Sequence, residues 1–147
     1  MSHQRIVLWR HGQTSWNLDN RFQGHTDIPL NEVGEFQVRR AASVLSELQP
    51  TKIVSSDLQR AKATAETLAT LLGIEVHIDP RLRETSGGLW EGRTVEENRA
   101  HHPEEFAAWI NGGDDPAGLT GERRSEVAAR VTAAIHDGIK DAEGTVV

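Results

Sequence analysis

Five consecutive residues near the start of the sequence, Arg10-His11-Gly12-Gln13-Thr14, have side chains suited to phosphate chemistry. A neutral imidazole is a good nucleophile when one ring nitrogen is held as a donor and the other is left free. An arginine offers a fixed fork of donors to phosphate oxygens, and a glycine lets the backbone turn sharply and approach a ligand closely. The segment therefore predicts a histidine nucleophile, His11, beside an anion site that includes Arg10.

This segment follows the apolar run 6–9, which is typical of a buried parallel strand closed by a glycine turn. Open α/β sheets bind ligands at the carboxyl ends of their strands, which is where these polar residues emerge. Residues 15–31 are polar and rich in turn formers, and a long loop without secondary structure of its own is usually functional. We expect this loop to bring four more residues to the same strand end: Asn17, Arg21, Gln23 and Gly24.

Arg60 is a candidate for the second half of the anion site. It lies in the first turn of a predicted helix, and Ser56 and Gln59 have the spacing of a capping box at the start of that helix. Asp57 suits the positive end of the helix dipole, and free amides beside an arginine favour phosphate binding. Taken alone, however, Arg60 fits a solvated surface position better.

Glu84 is a candidate general acid. It follows the predicted strand 75–78, where the chain passes into a glycine-rich stretch. A carboxyl group held near other groups at such a position can give a proton to a leaving group. The alternative for Glu84 alone is a structural ion pair with Arg81 or Arg83.

Apolar periodicity predicts an alternation of strands and helices along the chain. Helices are expected at about 32–48, 56–72, 94–111 with a break at Pro103, and 122–142, and strands at 6–9, 52–55, 75–78 and from Thr145 onward. Trp109 is expected to anchor the third helical stretch. This order predicts an α/β fold in three layers, with a largely parallel sheet flanked by helices, in a single domain over 1–147.

The composition argues against nucleic-acid and membrane partners. The net charge is −6 and the isoelectric point is about 5.6, so we expect neither a nucleic-acid partner nor a membrane partner. The sequence has no cysteine and no apolar run that approaches the roughly 18 residues of a membrane span, which favours a cytoplasmic location. The adjacent His101 and His102 would point about 100° apart on a helix and chelate poorly, so no metal is expected.

Together these stretches resemble the histidine phosphatase superfamily, also called the phosphoglycerate mutase-like family. The matching residues occur in the family's order along the whole chain: Arg10-His11-Gly12-Gln13-Thr14, Asn17, Arg21-Phe22-Gln23-Gly24, Ser55-Ser56-Asp57-Leu58-Gln59-Arg60-Ala61, Thr64-Ala65, Leu82-Arg83-Glu84, Gly88-Leu89-Trp90-Glu91-Gly92 and Gly121-Glu122. The segments 54–58 and 82–85 are most similar to an actinobacterial phosphatase branch of this family, the one that includes glucosyl-3-phosphoglycerate phosphatase.

The resemblance implies a role for each matching residue. The family's histidine at the position of His11 is phosphorylated, and arginines at the positions of Arg10 and Arg60 clamp the phosphoryl group. An acid at the position of Glu84 protonates the leaving oxygen. Two cations beside the imidazole would disfavour its protonated form and stabilise the transferred charge. Substrate binding is expected at five further residues: Gln13, Thr14, Asn17, Gln23 and Gly24.

The sequence departs from the family pattern at its C-terminal end. The family has a second catalytic histidine in a His-Gly pair just after the strand that begins here at Thr145, and this sequence stops at Val147. We therefore expect a domain that lacks a strand beside His11 and a closing helix, with apolar surface and a sheet edge exposed. Because an exposed sheet edge can pair with a second copy of the chain, we also expect a homodimer.

Three functions remain open at the level of sequence. The first is hydrolysis of a small phosphorylated metabolite through a phosphohistidine, with no cofactor. The second is a phosphoglycerate mutase that depends on 2,3-bisphosphoglycerate. The glycolytic mutases resembled here have a longer, basic insert after the acid, whereas residues 91–121 are short and acidic, with Val95 about where those mutases place a lysine. This difference favours the phosphatase. The third is a non-catalytic module that binds a phosphorylated ligand.

Overall fold

A computed structural model describes residues 4–147. Within that range the strands are Arg5–Ile6 (β1), Pro50–Ser55 (β2), Val76–Ile78 (β3) and Thr145–Val146 (β4). The α-helices are Ser15–Leu18 (α1), Glu32–Ser46 (α2), Gln59–Leu72 (α3), Val95–His101 (α4), Pro103–Ile110 (α5) and Arg124–Ile139 (α6). Short 3₁₀ helices at Pro80–Leu82 and Gly88–Trp90 lie between β3 and α4. None of the helices in the described range is long and apolar enough to cross a membrane.

The strands form one parallel sheet in the order β1-β4-β2-β3. Successive residues of a strand point to opposite faces of its sheet. Ile53 of β2 packs against Ala42 of α2 and Leu68 of α3. The next residue, Val54, lies on the other face and approaches Gly138 of α6. Helices therefore cover both faces of the sheet, and the predicted three-layer α/β fold is confirmed.

The predicted helices agree with the structure apart from their ends. Leu68 is completely buried on α3, and Gly73 ends that helix in the left-handed conformation with φ of 68°. The predicted stretch 94–111 is divided into α4 and α5 at Pro103, because proline is accepted at the first position of a helix but not in its interior. The last helix, α6, is shorter than the predicted 122–142.

The first predicted strand, 6–9, is wrong for most of its length. β1 has only two residues, Arg5 and Ile6, which pair with Thr145 and Val146 of β4. Beyond β1 the side chain of Leu8 is 81% exposed. An apolar cavity of about 440 Å³ opens between β1, β4 and α6, with Ile6, Leu8 and Ile135 in its wall. Within residues 4–147, β1 is an edge strand of the sheet, and the apolar side chains of Ile6 and Leu8 are exposed beside it.

Two predictions about the loops need correction. Residues 15–31 contain the short helix α1, which is capped by Thr14. The predicted capping box of α3 is wrong, because the helix begins at Gln59 and its N-cap residue, Leu58, makes no side-chain hydrogen bond. Instead Asp27 accepts a hydrogen bond from the N–H of Gln59 at 2.7 Å. The Asp27 carboxylate therefore binds a backbone N–H group that was expected to face phosphate.

The segment between β3 and α6 forms an aromatic cluster of its own. Trp90 is 1% exposed and packs edge-on against Phe106 and Trp109, with ring centroids 5.2 and 5.9 Å away. Phe22 approaches Trp90 from the first loop at 6.0 Å. Trp109 anchors α5 as predicted. We call α4, α5 and the rings of Trp90, Phe106 and Trp109 the aromatic lobe.

Candidate active site

A cavity of about 590 Å³ lies beyond the carboxyl end of β1 and brings together most of the predicted site residues. Six of these residues line it: Arg10, His11, Gln13, Asn17, Gln23 and Glu84. Arg10 is exposed, so its guanidinium is open to an anionic ligand. The predicted nucleophile, one cation and the predicted acid therefore share one space.

Within residues 4–147, one ring nitrogen of His11 makes a hydrogen bond and the other has no partner. Its Nδ1 lies 2.6 Å from the carbonyl oxygen of Gly12, and this oxygen can only accept, so Nδ1 donates and Nε2 keeps its lone pair. Burial lowers the pKa of His11 from its ordinary value of 6.5. The Gly12 carbonyl acts in the opposite direction, and Arg60 and Arg10 lower the pKa further. Burial, more than the two arginines, keeps this imidazole neutral.

The segment that carries His11 is held between α2 and α3. A Cβ atom at Gly12 would lie 2.5 Å from the carbonyl oxygen of Gly34 in α2, and a Cβ atom at Gly34 would lie 2.1 Å from the carbonyl oxygen of Gln13. From the other side, the N–H of Gly12 donates to Oγ1 of Thr64 in α3 at 3.3 Å. Gly12 is outside the left-handed region, so it is required for close helix packing and not for a turn with positive φ.

Arg60 is 1% exposed, so its interpretation as a solvated surface residue is wrong. Its Nη2 donates to the carbonyl oxygen of Gly24 at 2.7 Å and to Oε2 of Glu84 at 3.1 Å. Its Nη1 donates to the carbonyl oxygen of Thr26 at 2.9 Å. The guanidinium thus lies behind the cavity wall, where it fixes the first loop and still lowers the pKa of His11.

Glu84 contacts Arg60 and not the two arginines that precede it in sequence. Its side chain is 45% exposed, and Oε2 accepts the hydrogen bond from Arg60. Arg81 and Arg83 are each paired with an aspartate instead, so the alternative of a local ion pair for Glu84 is wrong. Glu84 therefore lies between a buried cation and the open cavity.

The backbone that carries Glu84 is held by Arg130 of α6, a residue that the sequence analysis did not identify. Its Nη1 donates to the carbonyl oxygens of Arg81 and Arg83 at 2.6 and 2.7 Å. Its Nη2 donates to the carbonyl oxygen of Glu84 at 2.9 Å. Glu122 accepts from Nε of Arg130 at 2.7 Å, and this pairing lowers the pKa of Glu122. One side chain therefore binds three backbone carbonyl groups within residues 81–84, the segment that ends at the predicted acid.

Glu91 fixes the loop around residue 24. Its Oε1 accepts from the N–H groups of His25 and Gly87 at 2.8 and 2.9 Å. Its Oε2 accepts from the N–H and Oγ1 of Thr26 at 3.1 and 2.6 Å. Burial alone would raise the pKa of Glu91, but these hydrogen bonds outweigh burial and lower it. Only the family resemblance drew attention to Glu91 in the sequence.

The five predicted substrate-binding residues divide into two groups. Gln13, Asn17 and Gln23 line the cavity, whereas Thr14 and Gly24 do not. Thr14 is fully buried; its Oγ1 donates to Oε1 of Gln23 at 2.6 Å and accepts from the N–H of Asn17 at 3.1 Å. Gly24 is buried with φ of 54°, a conformation that favours glycine. The side chain of Thr14 holds the loop through Gln23 and Asn17 and does not line the cavity.

Further residues complete the cavity wall without having been predicted. They come from α1, the first loop, α2 and the aromatic lobe: Trp16, Asn20, Phe22, Gln37, Val95, Asn98 and Phe106. Arg21, which was expected near the strand end, also lines the cavity. These residues come from four separate elements and share no local motif. Periodicity and spacing in the sequence therefore could not predict that they line one cavity.

Comparisons with known proteins agree with this geometry. Residues 6–147 match the family model described as the histidine phosphatase superfamily, branch 1. The chain is 45% identical over 131 residues to glucosyl-3-phosphoglycerate phosphatase of Mycobacterium tuberculosis, with 88% of this chain and 58% of that protein covered. It is 38% identical over 141 residues to the probable phosphoglycerate mutase GpmB of an Enterobacter species, with 96% of this chain and 66% of that protein covered.

The fold is likewise similar to a solved structure of YhfR from Bacillus stearothermophilus. The TM-score is 0.88 at 34% identity, with 99% of this chain and 72% of that chain covered. The chain spans 58% and 66% of the lengths of the two sequence relatives. The expected similarity to the actinobacterial phosphatase branch is confirmed by the first of them. The chain belongs to the histidine phosphatase superfamily.

Proposed function

We propose that this chain hydrolyses phosphomonoesters through a phosphohistidine on His11, without a metal ion. The observation that carries the proposal is the orientation of the His11 ring, whose Nδ1 is bound to the Gly12 carbonyl at 2.6 Å while Nε2 accepts no hydrogen bond from the described part of the chain. The same cavity contains Arg10 and Glu84. Membership of a family whose relatives here are named as a phosphatase and a mutase supports phosphoryl transfer.

In the first step Nε2 of His11 attacks phosphorus, a bond between nitrogen and phosphorus forms, and the bond from phosphorus to the alcohol oxygen breaks. Protonated Glu84 gives its proton to that oxygen, so a neutral alcohol leaves. Arg10 and Arg60 offset the negative charge on the phosphoryl oxygens during transfer. The burial of Arg60 supports its part in this step, because a charge acts more strongly where water is excluded.

In the second step water attacks the phosphohistidine and the Glu84 carboxylate accepts a proton from this water. The bond between nitrogen and phosphorus breaks, which releases inorganic phosphate and restores neutral His11. In a phosphoglycerate mutase a substrate hydroxyl takes the place of water, and 2,3-bisphosphoglycerate primes the histidine. The two functions therefore differ in the acceptor of the phosphoryl group.

The aromatic lobe favours hydrolysis over the mutase reaction. Val95, at about the position where the glycolytic mutases place a lysine, lines the cavity with an apolar side chain. The first turns of α4 and α5 also contain four glutamates, which are exposed and do not line the cavity: Glu96, Glu97, Glu104 and Glu105. The lobe therefore brings no cation to the cavity at the position of that lysine. We infer a small phosphorylated metabolite as the substrate, and glucosyl-3-phosphoglycerate is the first compound to test.

The test uses glucosyl-3-phosphoglycerate and 3-phosphoglycerate with radiolabelled phosphoryl groups. We expect an acid-labile label on the protein, release of inorganic phosphate, and no effect of a chelator on either. His11→Ala should abolish the label, whereas His77→Ala, at an exposed position on β3, should not. A label that survives in His11→Ala would disprove the mechanism.

The other two functions give different results in the same assay. Phosphoryl transfer that requires 2,3-bisphosphoglycerate and releases no inorganic phosphate would support the mutase. A label that forms on His11 and is never released would support a module that binds a phosphorylated ligand without turnover.

A further inference from the structure

Gln37 of α2 lines the cavity, and its side-chain amide has a fixed orientation. Its Oε1 accepts a hydrogen bond from the backbone N–H of Gln13 at 3.0 Å. A backbone N–H can only donate, so this contact identifies the amide oxygen and leaves the NH₂ group as the other end of the amide. That NH₂ group makes no hydrogen bond with residues 4–147. Gln37 is exposed, so it is accessible to a ligand in the cavity.

The side chain of Gln13 is oriented in the same way by Asn31, the N-cap residue of α2. Oδ1 of Asn31 accepts from the N–H of Gly34 at 2.8 Å, so the other end of the Asn31 amide must be its donor. This Nδ2 donates to Oε1 of Gln13 at 3.0 Å, which leaves the NH₂ group of Gln13 without an acceptor in the described part of the chain. Gln13 is half-buried and lines the same cavity as Gln37.

Gln13 and Gln37, which we call the amide pair, have the same hydrogen-bonding character toward a ligand. Both amide oxygens are already bound within the chain, so the pair offers N–H donors. A hydroxyl group must also donate its own proton, whereas a carboxylate only accepts. Hydrogen bonds to an ionised acceptor are about twice as strong as neutral ones, and the exposed Arg10 adds positive charge to the same cavity. The amide pair is therefore suited to a carboxylate.

We propose that the amide pair binds a carboxylate on the alcohol part of the substrate, so that the preferred substrates are phosphomonoesters of hydroxy acids. This inference rests on the proposed function, because it assumes that the phosphoryl group binds beside His11 in the same cavity. Gln13 follows His11 by two residues, so the pair and the nucleophile belong to the same part of the cavity wall. The aromatic lobe brings no cation to the cavity wall, which leaves the amide pair to hold this carboxylate.

Equilibrium binding to this chain tests the proposal without turnover. One ligand is 2-hydroxy-4-phosphonobutanoate, the methylene phosphonate analogue of 3-phosphoglycerate. The other is 3,4-dihydroxybutylphosphonate, the corresponding analogue of glycerol 3-phosphate, in which a hydroxymethyl group replaces the carboxylate. We expect calorimetry to show that the unmodified chain binds the carboxylate ligand about tenfold more tightly or better, because this is the usual effect of a hydrogen bond to a charged group.

Two variants of Gln37 separate the donor from the acceptor of its amide. Gln37→Met keeps the length of the side chain without an N–H donor or a new charge, and the preference should fall to about threefold or less. Gln37→Glu keeps an oxygen for the N–H of Gln13 but replaces the donor by a second, negatively charged oxygen, so the preference should disappear. A residue that served only to hold the backbone of Gln13 would retain the preference in Gln37→Glu.

The matched control is Gln59→Met. Gln59 is exposed at the start of α3 and does not line the cavity, so this variant should keep the preference for the carboxylate ligand. The preference of the unmodified chain is measured without any variant, which keeps the proposal testable if a Gln37 variant does not fold.

The outcomes separate this inference from the proposed function. Equal affinity of the unmodified chain for the two phosphonates, or a preference that survives in Gln37→Met, would overturn the proposed carboxylate site while leaving phosphate binding in place. An equal loss of affinity for both phosphonates and for inorganic phosphate in Gln37→Met would also overturn it, because Gln37 would then act on the phosphoryl group. Failure of the unmodified chain to bind any of the three ligands would instead contradict the proposed function, and the inference with it.

Discussion

Oε2 of Glu84 lies 3.1 Å from Nη2 of Arg60, so the proposed acid and one proposed phosphate clamp form an ion pair with each other. Arg60 is almost completely buried, whereas Glu84 is half-exposed. The pair also joins the first loop to the backbone after β3, because Arg60 holds both.

Arg60→Ala is expected to lower kcat/KM about 10²–10³-fold, because it removes a cation that acts on the transferred phosphoryl group. It should also lower the free energy of unfolding by about 1–3 kcal/mol, since the carbonyl oxygens of Gly24 and Thr26 lose their donor. Phosphate-release kinetics and urea unfolding measure the two effects. Arg39→Ala is the control, because Arg39 is exposed and makes only a 3.9 Å contact with Glu35. An unchanged rate in Arg60→Ala would exclude Arg60 from the transfer step.

His11 is expected to titrate below the ordinary histidine value of 6.5, because burial lowers its pKa. The unfolded chain therefore binds more protons than the folded chain between pH 6.5 and the lower folded value. The contribution of His11 to stability is fully present above pH 6.5 and is lost as the pH falls through that window. NMR titration of the imidazole, assigned by comparison with His11→Ala, measures the midpoint. A midpoint at or above 6.5 would contradict the buried, neutral ring.

Gly34→Ala should destabilise the protein by about 1–3 kcal/mol and disturb phosphohistidine formation, because the new Cβ would lie 2.1 Å from the backbone oxygen of Gln13. The atoms nearest to this Cβ all belong to the backbone of Gln13, so no flexible side chain can move away to relieve the clash. Gly138→Ala is the matched control within another helix, since its Cβ would lie 3.4 Å from Cγ2 of Val54 and helix propensity favours alanine by up to about 1 kcal/mol. Equal stability of the two variants in thermal unfolding would refute the close packing of α2 on the His11 segment.

Arg130→Leu should reduce the free energy of unfolding by about 2–4 kcal/mol, because three carbonyl oxygens and Glu122 lose a charged donor. It should also lower kcat more than it raises KM, since Glu84 loses its support while the phosphate-binding residues keep theirs. Arg130→Lys should restore only part of both, because an ammonium group cannot reach all these oxygens at once. Arg99→Leu, at an exposed position on α4, is the control. A wild-type kcat in Arg130→Leu would show that Glu84 is positioned by other contacts.

The parts of the site that could be predicted from the sequence are those with local causes. An apolar run, a glycine turn and helical periodicity predicted the position of His11 at a strand end and the order of the helices. The predicted strand 6–9 failed over most of its length because a strand depends on pairing with a neighbour, and the residues that pair with β4 are Arg5 and Ile6. The predicted capping box failed for a similar reason, since Asp27 from a distant loop provides the cap.

By itself the sequence determined the family and the order of strands and helices, and it supplied the candidate nucleophile, because each of these depends on residue types at short spacing. Only the tertiary structure decided that Arg60 is buried and bound to Glu84, and that Arg130 holds the backbone of Glu84. The Arg60 and Arg130 contacts join residues 24 to 49 positions apart, and no local pattern of side chains encodes a distance of that kind. The packing of α3, α6 and the aromatic lobe around one cavity sets these relationships.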